Sequence, residues 1–576
     1  MHFSEKLVDG RRYRIAAQSV WDAKRKTPYS RQVVLGPADA APRVDLANTV
    51  TVGRRLVGDV GALAWVAEQL GVVDILDRAT GQGGGPKAPS FGELALAVAI
   101  QRACGVGPKR DLPEFLDGSV ARVSCLPGDA FTGQVFHRMA QKVTDEQLER
   151  AQIELARAAV QRFSLATDVL AFDTTNFDTH IATTTPGDLA RRGHAKSKRS
   201  DLRVVGLGVL VSETGHVPLL YRVYPGNGSD HGVLETCMDG LGKLHDALDA
   251  GEGLARPSQR TLVRDGGSWG EQLELDLDFT GYFTLISLPL GHNASEEALK
   301  VASARGAMKP LRGALKDVRA ARLRTRVGKL DRTLVVVESR ELLEGQKRGI
   351  AAALRKAKTE LRTIERGIET GRLRKNAVVE RVRKALRREH LGDFVIADVE
   401  GTEQEPTLRW HIDDHKRHEL ERTRLGKRVL CTDRHAWKTE RIVEAFRGQW
   451  TVEELFRRAK KGGVVPWGPS HQWADGSLRV HTFATVLGLM LVALAKLALK
   501  TTLSPKAMMS ALHAIDVTLV RTMAKSMGRP RTEMLPPALS SLQARAVQQF
   551  ELARWVPALS SIRPSRRKNT GAADAA

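Results

Sequence analysis

The sequence predicts an α/β protein in which a mixed sheet is flanked by helices and interrupted by a large insertion, after a mainly helical N-terminal domain. Three observations support this fold class. From Asp168 onward, short apolar stretches of strand type follow in the order β-β-β-α-β. Basic helical segments and a hairpin then intervene in residues 301–428, and residues 46–165 show helical periodicity before the first strand.

The N-terminal part divides into two predicted regions. Residues 1–45 contain short alternating segments such as RQVVLGP, which predict a small sheet or arm. Residues 46–165 are predicted to form a helical domain that binds DNA ends, with a glycine-rich linker at residues 80–90. That linker has no Gly-Lys-Ser/Thr ending and follows no strand, so we do not expect it to cradle phosphate.

Residues 166–300 are predicted to form the first part of the catalytic core. VLAFDTTNF predicts a strand that ends at Asp173, and RVVGLGVLV with HVPLLYRVYPGN predicts a hairpin. HGVLETCMDGLGKLHDAL predicts a helix, and TLVRDGGSW predicts a strand that ends at Asp265 and a Gly-Gly turn. GYFTLISLP predicts the fifth strand.

The remaining chain is predicted to hold an insertion, the end of the core and a C-terminal region. Within the insertion, residues 301–428, DFVIADVEG and PTLRWHID predict a hairpin. Residues 429–505 resume the core, and their apolar run of 14 residues at 482–495 predicts a buried helix, too short for a comfortable membrane span. Residues 506–576 are predicted to form helices and a basic disordered tail.

The charge balance favours a polyanionic partner. Lysine and arginine number 89 against 66 aspartates and glutamates, a formal charge of +23. Nucleic acid is the leading candidate, and a generally basic cytoplasmic protein is the alternative. Between residues 347 and 390 we count fifteen basic residues against five glutamates on a helical pattern. This concentration is suited to contacts with a phosphate backbone.

Cysteine usage and the N-terminal sequence bear on the compartment. The four cysteines have no spacing typical of a zinc site or a disulfide framework, which predicts a reducing environment. MHFSEKLVDGRRYRI lacks the apolar segment of a signal peptide. We therefore expect a cytoplasmic protein that does not partner a membrane.

The stretch RGQWTVEELFRRAK, residues 447–460, predicts an amphipathic helix with two adjacent glutamates. At ~100° per residue, its apolar side chains form one buried stripe, with Glu454 opposite the stripe and near Arg458. Glu454 is therefore predicted to form a solvated ion pair, and its replacement is predicted to be nearly silent. Glu453 falls on the rim of the stripe, with Lys460 one heptad later, as either a structural ion pair or a functional pair.

Several segments carry a resemblance to a known family. AFDTTNF, RGHAKSKRSDLRVVGLGVLV, YPGNGSDH, LVRDGG, and FRGQWTVEELFRRAK followed by LRVHTFATVLGLML resemble a DDE transposase of bacterial insertion sequences. The similar branch has a Tyr-Arg-Glu-Lys signature around its third carboxylate. The resemblance covers roughly residues 165–500. It implies an RNase H-like core.

The resemblance implies a metal site and a signature lysine. Its three metal-binding carboxylates fall on Asp173, Asp265 and Glu453, and its lysine falls on Lys460. Phe446 and Gln449 stand at the signature tyrosine and arginine positions, so the chain departs from the pattern there. The cofactor expected from the resemblance is a pair of Mg²⁺ ions, for which Mn²⁺ substitutes, because hard cations take carboxylate oxygens and phosphodiester cleavage uses two of them.

The function implied by the resemblance is DNA transposition. Such an enzyme binds the terminal inverted repeats of its element, cleaves phosphodiester bonds and joins 3′-hydroxyl ends to target DNA. Its expected partners are double-stranded DNA, at inverted-repeat ends and targets, and a second copy of the chain in a synaptic homodimer. The expected location is the bacterial cytoplasm, at the nucleoid. Two alternatives stay open: a catalytically silent DNA-binding descendant, and a Mg²⁺-dependent nuclease that does not join strands.

Secondary candidates are weaker. A set of basic side chains could contact DNA phosphates, although an exposed turn explains the first three equally well: His194, Lys196, Lys198, Arg457 and Lys460. Asp178 and Asp230 are alternatives for the metal site. His481 is predicted to be a core or capping histidine. Trp269 and Trp450 are predicted to pack in the core, with base stacking as the alternative.

Overall fold

The computed structural model describes residues 1–39, 49–105, 107–252, 259–304, 306–460, 462–468, 470, 472–522 and 531–561. The strands are β1 (His2–Val8), β2 (Arg11–Asp22), β3 (Thr27–Pro37), β4 (Thr49–Leu56), β5 (Val169–Thr179), β6 (Arg203–Ser212), β7 (Pro218–Pro225), β8 (Arg260–Arg264), β9 (Tyr282–Leu288), β10 (Lys309–Pro310), β11 (Val318–Val327), β12 (Leu330–Ser339), β13 (Val395–Gly401), β14 (Pro406–Ile412), β15 (Lys427–Thr432), β16 (Asp516–Thr522) and β17 (Arg531–Leu535).

The helices are α1 (Gly58–Leu70), α2 (Val72–Thr80), α3 (Phe91–Ala103), α4 (Leu112–Asp117), α5 (Gly133–Ala140), α6 (Asp145–Phe163), α7 (Asp230–Glu252), α8 (Glu271–Phe279), α9 (Asn293–Ser303), α10 (Arg340–Glu369), α11 (Lys375–Leu386), α12 (Leu391–Phe394), α13 (Asp414–Thr423), α14 (Thr439–Arg447), α15 (Trp450–Ala459), α16 (Asp475–Leu499), α17 (Pro505–His513) and α18 (Ser541–Gln549). The chain is a mixed α/β protein, and the predicted β-β-β-α-β order of β5 to β8 is confirmed.

The chain forms two compact units. Unit 1 comprises Met1–Arg260, Asp278–Tyr282 and Gly448–Ala576, and unit 2 comprises Thr261–Leu277 and Phe283–Arg447. Residues 301–428, predicted to form an insertion, lie within unit 2, which has its own apolar clusters.

Unit 1 contains strands of three sheets, namely two three-stranded antiparallel sheets and an antiparallel part of a nine-stranded sheet. The first has the order β1-β2-β3, which confirms the predicted N-terminal sheet. In the second, β16 lies between β17 and β4, so the C-terminal region contains strands where only helices were predicted. The third places β6 between β5 and β7. The predicted disordered tail, within residues 562–576, lies outside the described residues.

A long apolar helix forms the centre of unit 1. The α16 helix has 25 residues, not the 14 of the apolar run, because polar residues near its start are also helical. It is long and apolar enough to cross a membrane, yet 83% of its most apolar window is buried inside the protein. It packs against α1, α3 and α6. The prediction of a buried core helix is confirmed.

A buried ion pair connects the N-terminal sheet of unit 1 to its helices. Arg31 on β3 lies 2.8 Å from the Glu93 carboxylate on α3, and both side chains are almost inaccessible to solvent. Glu93 also completes a capping box with Ser90 at the start of α3. A buried carboxylate requires such partners, because an unpaired charge inside a protein costs several kcal/mol.

Unit 2 has two apolar centres. The first lies on the antiparallel strands β10-β11-β12-β15-β9 of the nine-stranded sheet and is covered by α9. The second is formed by α10 to α13 and the hairpin β13-β14. That hairpin was predicted, whereas the hairpin β11-β12 was not. The arginines in VRAARLRTRV give this segment a basic pattern, from which the apolar face of β11 cannot be predicted.

Candidate active site

Asp173 lies in the middle of β5 and not at its end. The strand continues six residues further, to Thr179, and Asp173 is opposite Val209 of β6. The prediction of a strand end at this aspartate was wrong because the following threonines are β-branched residues that favour strands. The Asp173 carboxylate is half-buried, and its Oδ1 accepts a 2.7 Å hydrogen bond from the Thr174 amide.

Glu453 lies in the first turn of α15, a helix that packs against β5 and β6 in unit 1. The predicted apolar stripe is confirmed, since four side chains are at most 5% exposed: Val452, Leu455, Phe456 and Ala459. Glu453 itself is exposed. The first helical turn is favourable for a carboxylate because the helix dipole is positive there.

Glu454 is less exposed than predicted. Its carboxylate accepts hydrogen bonds from Arg457, at 2.7 and 2.8 Å, and from Arg458, at 3.2 Å. Burial would raise the pKa of the Glu454 carboxyl, but these two arginines outweigh it and lower that pKa below its ordinary value. The predicted ion pair of Glu454 with Arg458 is confirmed, but it is largely buried rather than solvated, because α15 also packs against α16.

Glu454→Ala is consequently expected to destabilise the protein rather than to be silent. It removes the carboxylate paired with the buried Arg458 guanidinium, which keeps its 3.2 Å contact to His216, at a cost of about 1–3 kcal/mol. Chemical denaturation of this variant and of a control measures the loss of stability. The matched control is Glu444→Ala on α14, an exposed glutamate. Equal midpoints for the two variants would show that the Glu454 ion pairs contribute nothing.

Asp265 directly follows β8 in unit 2, as predicted. It is exposed, and its Oδ1 accepts a 2.8 Å hydrogen bond from the Gly266 amide as the chain enters a short 3₁₀ turn at residues 266–268. Gly266 approaches β9 so closely that a Cβ atom would lie 2.1 Å from the Ser287 carbonyl oxygen. The turn after Asp265 therefore requires glycine at this position.

A buried arginine braces the turn that carries Asp265. Arg264 donates hydrogen bonds to the Ser268 carbonyl at 2.8 Å and to the Thr284 hydroxyl at 3.1 Å, and it forms an ion pair with Glu274. Ser268 Oγ in turn donates to the Asp265 carbonyl at 2.8 Å. Sequence reasoning missed this brace. The signal was a charged residue at the end of an apolar strand, in TLVRDGG.

A cavity of 510 Å³ adjoins the C-terminal half of β5 in unit 1. It is lined by Asn176, Phe177, Asp178, His180, Lys196, Ser197, Ala459, Lys460, Trp467 and Gly468. The rings of Phe177 and Trp467 are stacked, with centroids 5.0 Å apart. Both rings are buried, and the two lysines supply positive charge at the opening.

The structure brings Lys196 and Lys460 together but not the other predicted DNA contacts. Lys460 is not on a helix, because α15 ends at Ala459 and Lys460 is extended, with φ −81° and ψ 169°. The heptad argument for Lys460 was therefore wrong, although the lysine does line the cavity. His194 and Lys198 are exposed and do not line it, and Arg457 is paired with Glu454.

The remaining candidate residues have contacts that are typical of structural roles, except for Trp450. Asp178 lies within β5 and accepts a 2.8 Å hydrogen bond from Ser197, and Asp230 begins α7. His481 is a core histidine, as predicted: one ring nitrogen lies 2.8 Å from the Trp467 carbonyl oxygen, and burial lowers the pKa of His481 well below its ordinary value. Trp269 packs against an apolar cluster of unit 2. Trp450 is 55% exposed, so core packing was wrong for it.

The three predicted carboxylates are the kind of ligand that the implied metal ions take. Oxygen ligands fit Mg²⁺. Within the described ranges, however, the structure contains no group of three histidine, cysteine, aspartate or glutamate side chains that could hold a metal ion. Asp173 and Glu453 belong to unit 1 and Asp265 to unit 2. The three-carboxylate metal site therefore stays a prediction from the resemblance.

Comparison with known proteins leaves the family open. No protein-family model matches the chain, and no curated protein matches it. Among solved structures, it is similar to the chain described as "Cryo-EM structure of piggyBac transposase synaptic complex with hairpin DNA (SNHP)", with a TM-score of 0.36 and 11% sequence identity. That likeness covers 92% of this chain and 89% of the other. At so low a TM-score it carries no argument.

Proposed function

We propose that this protein is a DNA-processing enzyme of the transposase type. The observation that carries the proposal is in unit 1, where β5 bears Asp173 and the helix packed on it bears Glu453. A cavity with two lysines adjoins the same strand. Carboxylates beside cationic side chains suit the cleavage of a phosphodiester, which needs oxygen ligands for metal ions and positive charge for the phosphate.

The finer proposal follows the resemblance of the sequence. The chain acts as the transposase of a bacterial insertion sequence, in the cytoplasm at the nucleoid, binding inverted-repeat ends as a homodimer. Asp173, Glu453 and Asp265 would hold Mg²⁺ or Mn²⁺, and such ions would activate the attacking oxygen and stabilise the leaving oxygen of the phosphodiester. The exposed state of Glu453 and Asp265 leaves both carboxylates accessible to ions and DNA.

A joining assay tests this proposal. The purified protein is incubated with Mg²⁺, a supercoiled plasmid and a labelled duplex taken from the DNA that flanks its gene and contains an inverted repeat. We expect cleavage at the repeat end and transfer of label to the plasmid. Cleavage without transfer would support a nuclease that does not join strands, and binding without cleavage would support a catalytically silent descendant. Either outcome contradicts the proposal.

Lys460→Ala is expected to weaken strand joining by roughly tenfold, because an ammonium group at the cavity opening holds a phosphate by charge. The Mg²⁺ concentration for half-maximal cleavage should stay unchanged, because Lys460 lies beyond the end of the helix that carries Glu453. Lys500→Ala, at the exposed end of α16, is the control. A shift in the Mg²⁺ requirement alone would instead assign Lys460 to the orientation of Glu453.

A further inference from the structure

One face of α10 carries four arginines and is exposed along its length. Taking Arg348 as zero at ~100° per residue, Arg355, Arg362 and Arg366 all fall within ~40° of it. The opposite face packs into the second apolar centre of unit 2 through four buried side chains: Ile350, Ala357, Leu361 and Ile364. We call the four exposed arginines the arginine ridge. Packing therefore fixes the direction in which the ridge points.

The arginines of the ridge have no carboxylate partners. Among the residues that the structure describes, none of the four forms an ion pair within 4.0 Å, although Glu344 and Glu369 lie near the two ends of the helix. The side chains between them on this face are uncharged: Ala351, Ala352, Thr359 and Thr363. A helix surface that serves only solubility commonly alternates acidic and basic residues at i,i+4 spacing. This face does not.

The dimensions of the ridge match an extended polyanion. At 1.5 Å per residue, its arginines are spaced by about 10.5, 10.5 and 6 Å and span about 27 Å. Duplex DNA presents roughly 16 negative charges over that length, at one per ~1.7 Å. All 30 residues of α10 are described, and none is aromatic, so the helix has no ring on which unpaired bases could stack. This favours the backbone of a duplex over a single strand.

We propose that the arginine ridge binds the phosphate backbone of duplex DNA without reading its sequence. Guanidinium groups donate to phosphate oxygens in paired hydrogen bonds, and each contact releases counterions from the DNA. The inference rests on the proposed function in that it takes DNA as the substrate. It goes beyond that function in assigning a contact surface to unit 2, which the carboxylates and the lysine cavity of unit 1 do not supply.

The test compares two variants that each lose four positive charges. The ridge variant is R348Q/R355Q/R362Q/R366Q, in which glutamine keeps helix propensity on an exposed face. The control is K6Q/K24Q/R25Q/K26Q, in the exposed β1 strand and the β2-β3 turn. Circular dichroism and thermal unfolding establish that both variants fold. Fluorescence anisotropy then measures binding to a duplex of about 30 base pairs and unrelated sequence, across a salt series.

We expect the ridge variant to reduce the slope of log K against log salt by about 3 to 4, and the control to leave it unchanged. Equal slopes for ridge and control variants would overturn the ridge while leaving the proposed function intact. Wild-type protein that binds single-stranded DNA or RNA better than duplex DNA would overturn the duplex assignment. Wild-type protein that binds no duplex would overturn the proposed function as well.

Discussion

Glu453→Gln is expected to lower the rate of DNA cleavage by at least ~10³-fold, with duplex affinity within about twofold of wild type. Glutamine keeps the size and helix propensity of glutamate but removes the negative charge that a metal ion needs, an interaction worth several kcal/mol at the transition state. Binding depends on phosphate contacts spread over the basic surfaces, which this change does not touch. Single-turnover cleavage and anisotropy measure the two quantities.

The control for Glu453 is Glu444→Gln, an exposed glutamate nine residues earlier on α14. It should cleave at the wild-type rate. Glu454 is unsuitable as the comparison, because its ion pairs with Arg457 and Arg458 make its replacement a change in stability. Substantial cleavage by Glu453→Gln, or a comparable loss in Glu444→Gln, would contradict the assignment of the catalytic glutamate.

The same loss is expected for Asp173→Asn and Asp265→Asn, which remove one charge each without changing shape. Asp317→Asn, at an exposed position in unit 2, is their control. If only Asp173 and Glu453 prove essential, the chemistry belongs to unit 1 and Asp265 is a turn residue that caps residues 266–268. Such a result would contradict the resemblance, which assigns all three carboxylates to the metal site, and would leave Asp173 and Glu453 as the catalytic pair.

Apolar periodicity predicted the elements that carry the candidate site. Each of these elements coincides with a predicted apolar segment bounded by turn residues: β5 to β9, α7 and the hairpin β13-β14. Burial of one face of an element produces this periodic spacing of apolar residues. The stripe of α15 was predicted for the same reason. Where burial on one side decides the structure, a single sequence contains the information.

The rest depended on contacts between distant residues. The exposure of Glu454 could not be predicted, since His216 and α16 reach its helix from elsewhere in the chain. The helix α15 ends at Ala459 although no proline directly follows it. The amides of Val465 and Trp467 donate hydrogen bonds to the carbonyls of Arg458 and Ala459 at this end of the helix. The pairing of β16 with β4 joins segments more than 450 residues apart. Local patterns do not reveal such partners.

Replacement of Glu274 on α8 is expected to be the most destabilising single substitution near the turn that follows Asp265. Its carboxylate is fully buried against Arg264 and lies 3.5 Å from Arg332, both of them buried. Burial lowers the pKa of the Arg264 guanidinium below its ordinary value. Glu274→Ala leaves two such charges without their carboxylate, at a cost of about 3–5 kcal/mol.

Two measurements on the full chain resolve this prediction. The amides of Ser268 and Trp269 should exchange faster with solvent, because Arg264 no longer fixes the turn through Ser268. Chemical denaturation should show a lower midpoint than in the wild type. Asp276→Asn, on the same helix α8, should change neither by more than about 0.5 kcal/mol. In R264M/E274L the charges of Arg264 and Glu274 are removed together while Arg332 remains, which should restore part of the stability but not the protection of the turn. Full protection in that double variant would mean that the turn after Asp265 holds its shape without Arg264.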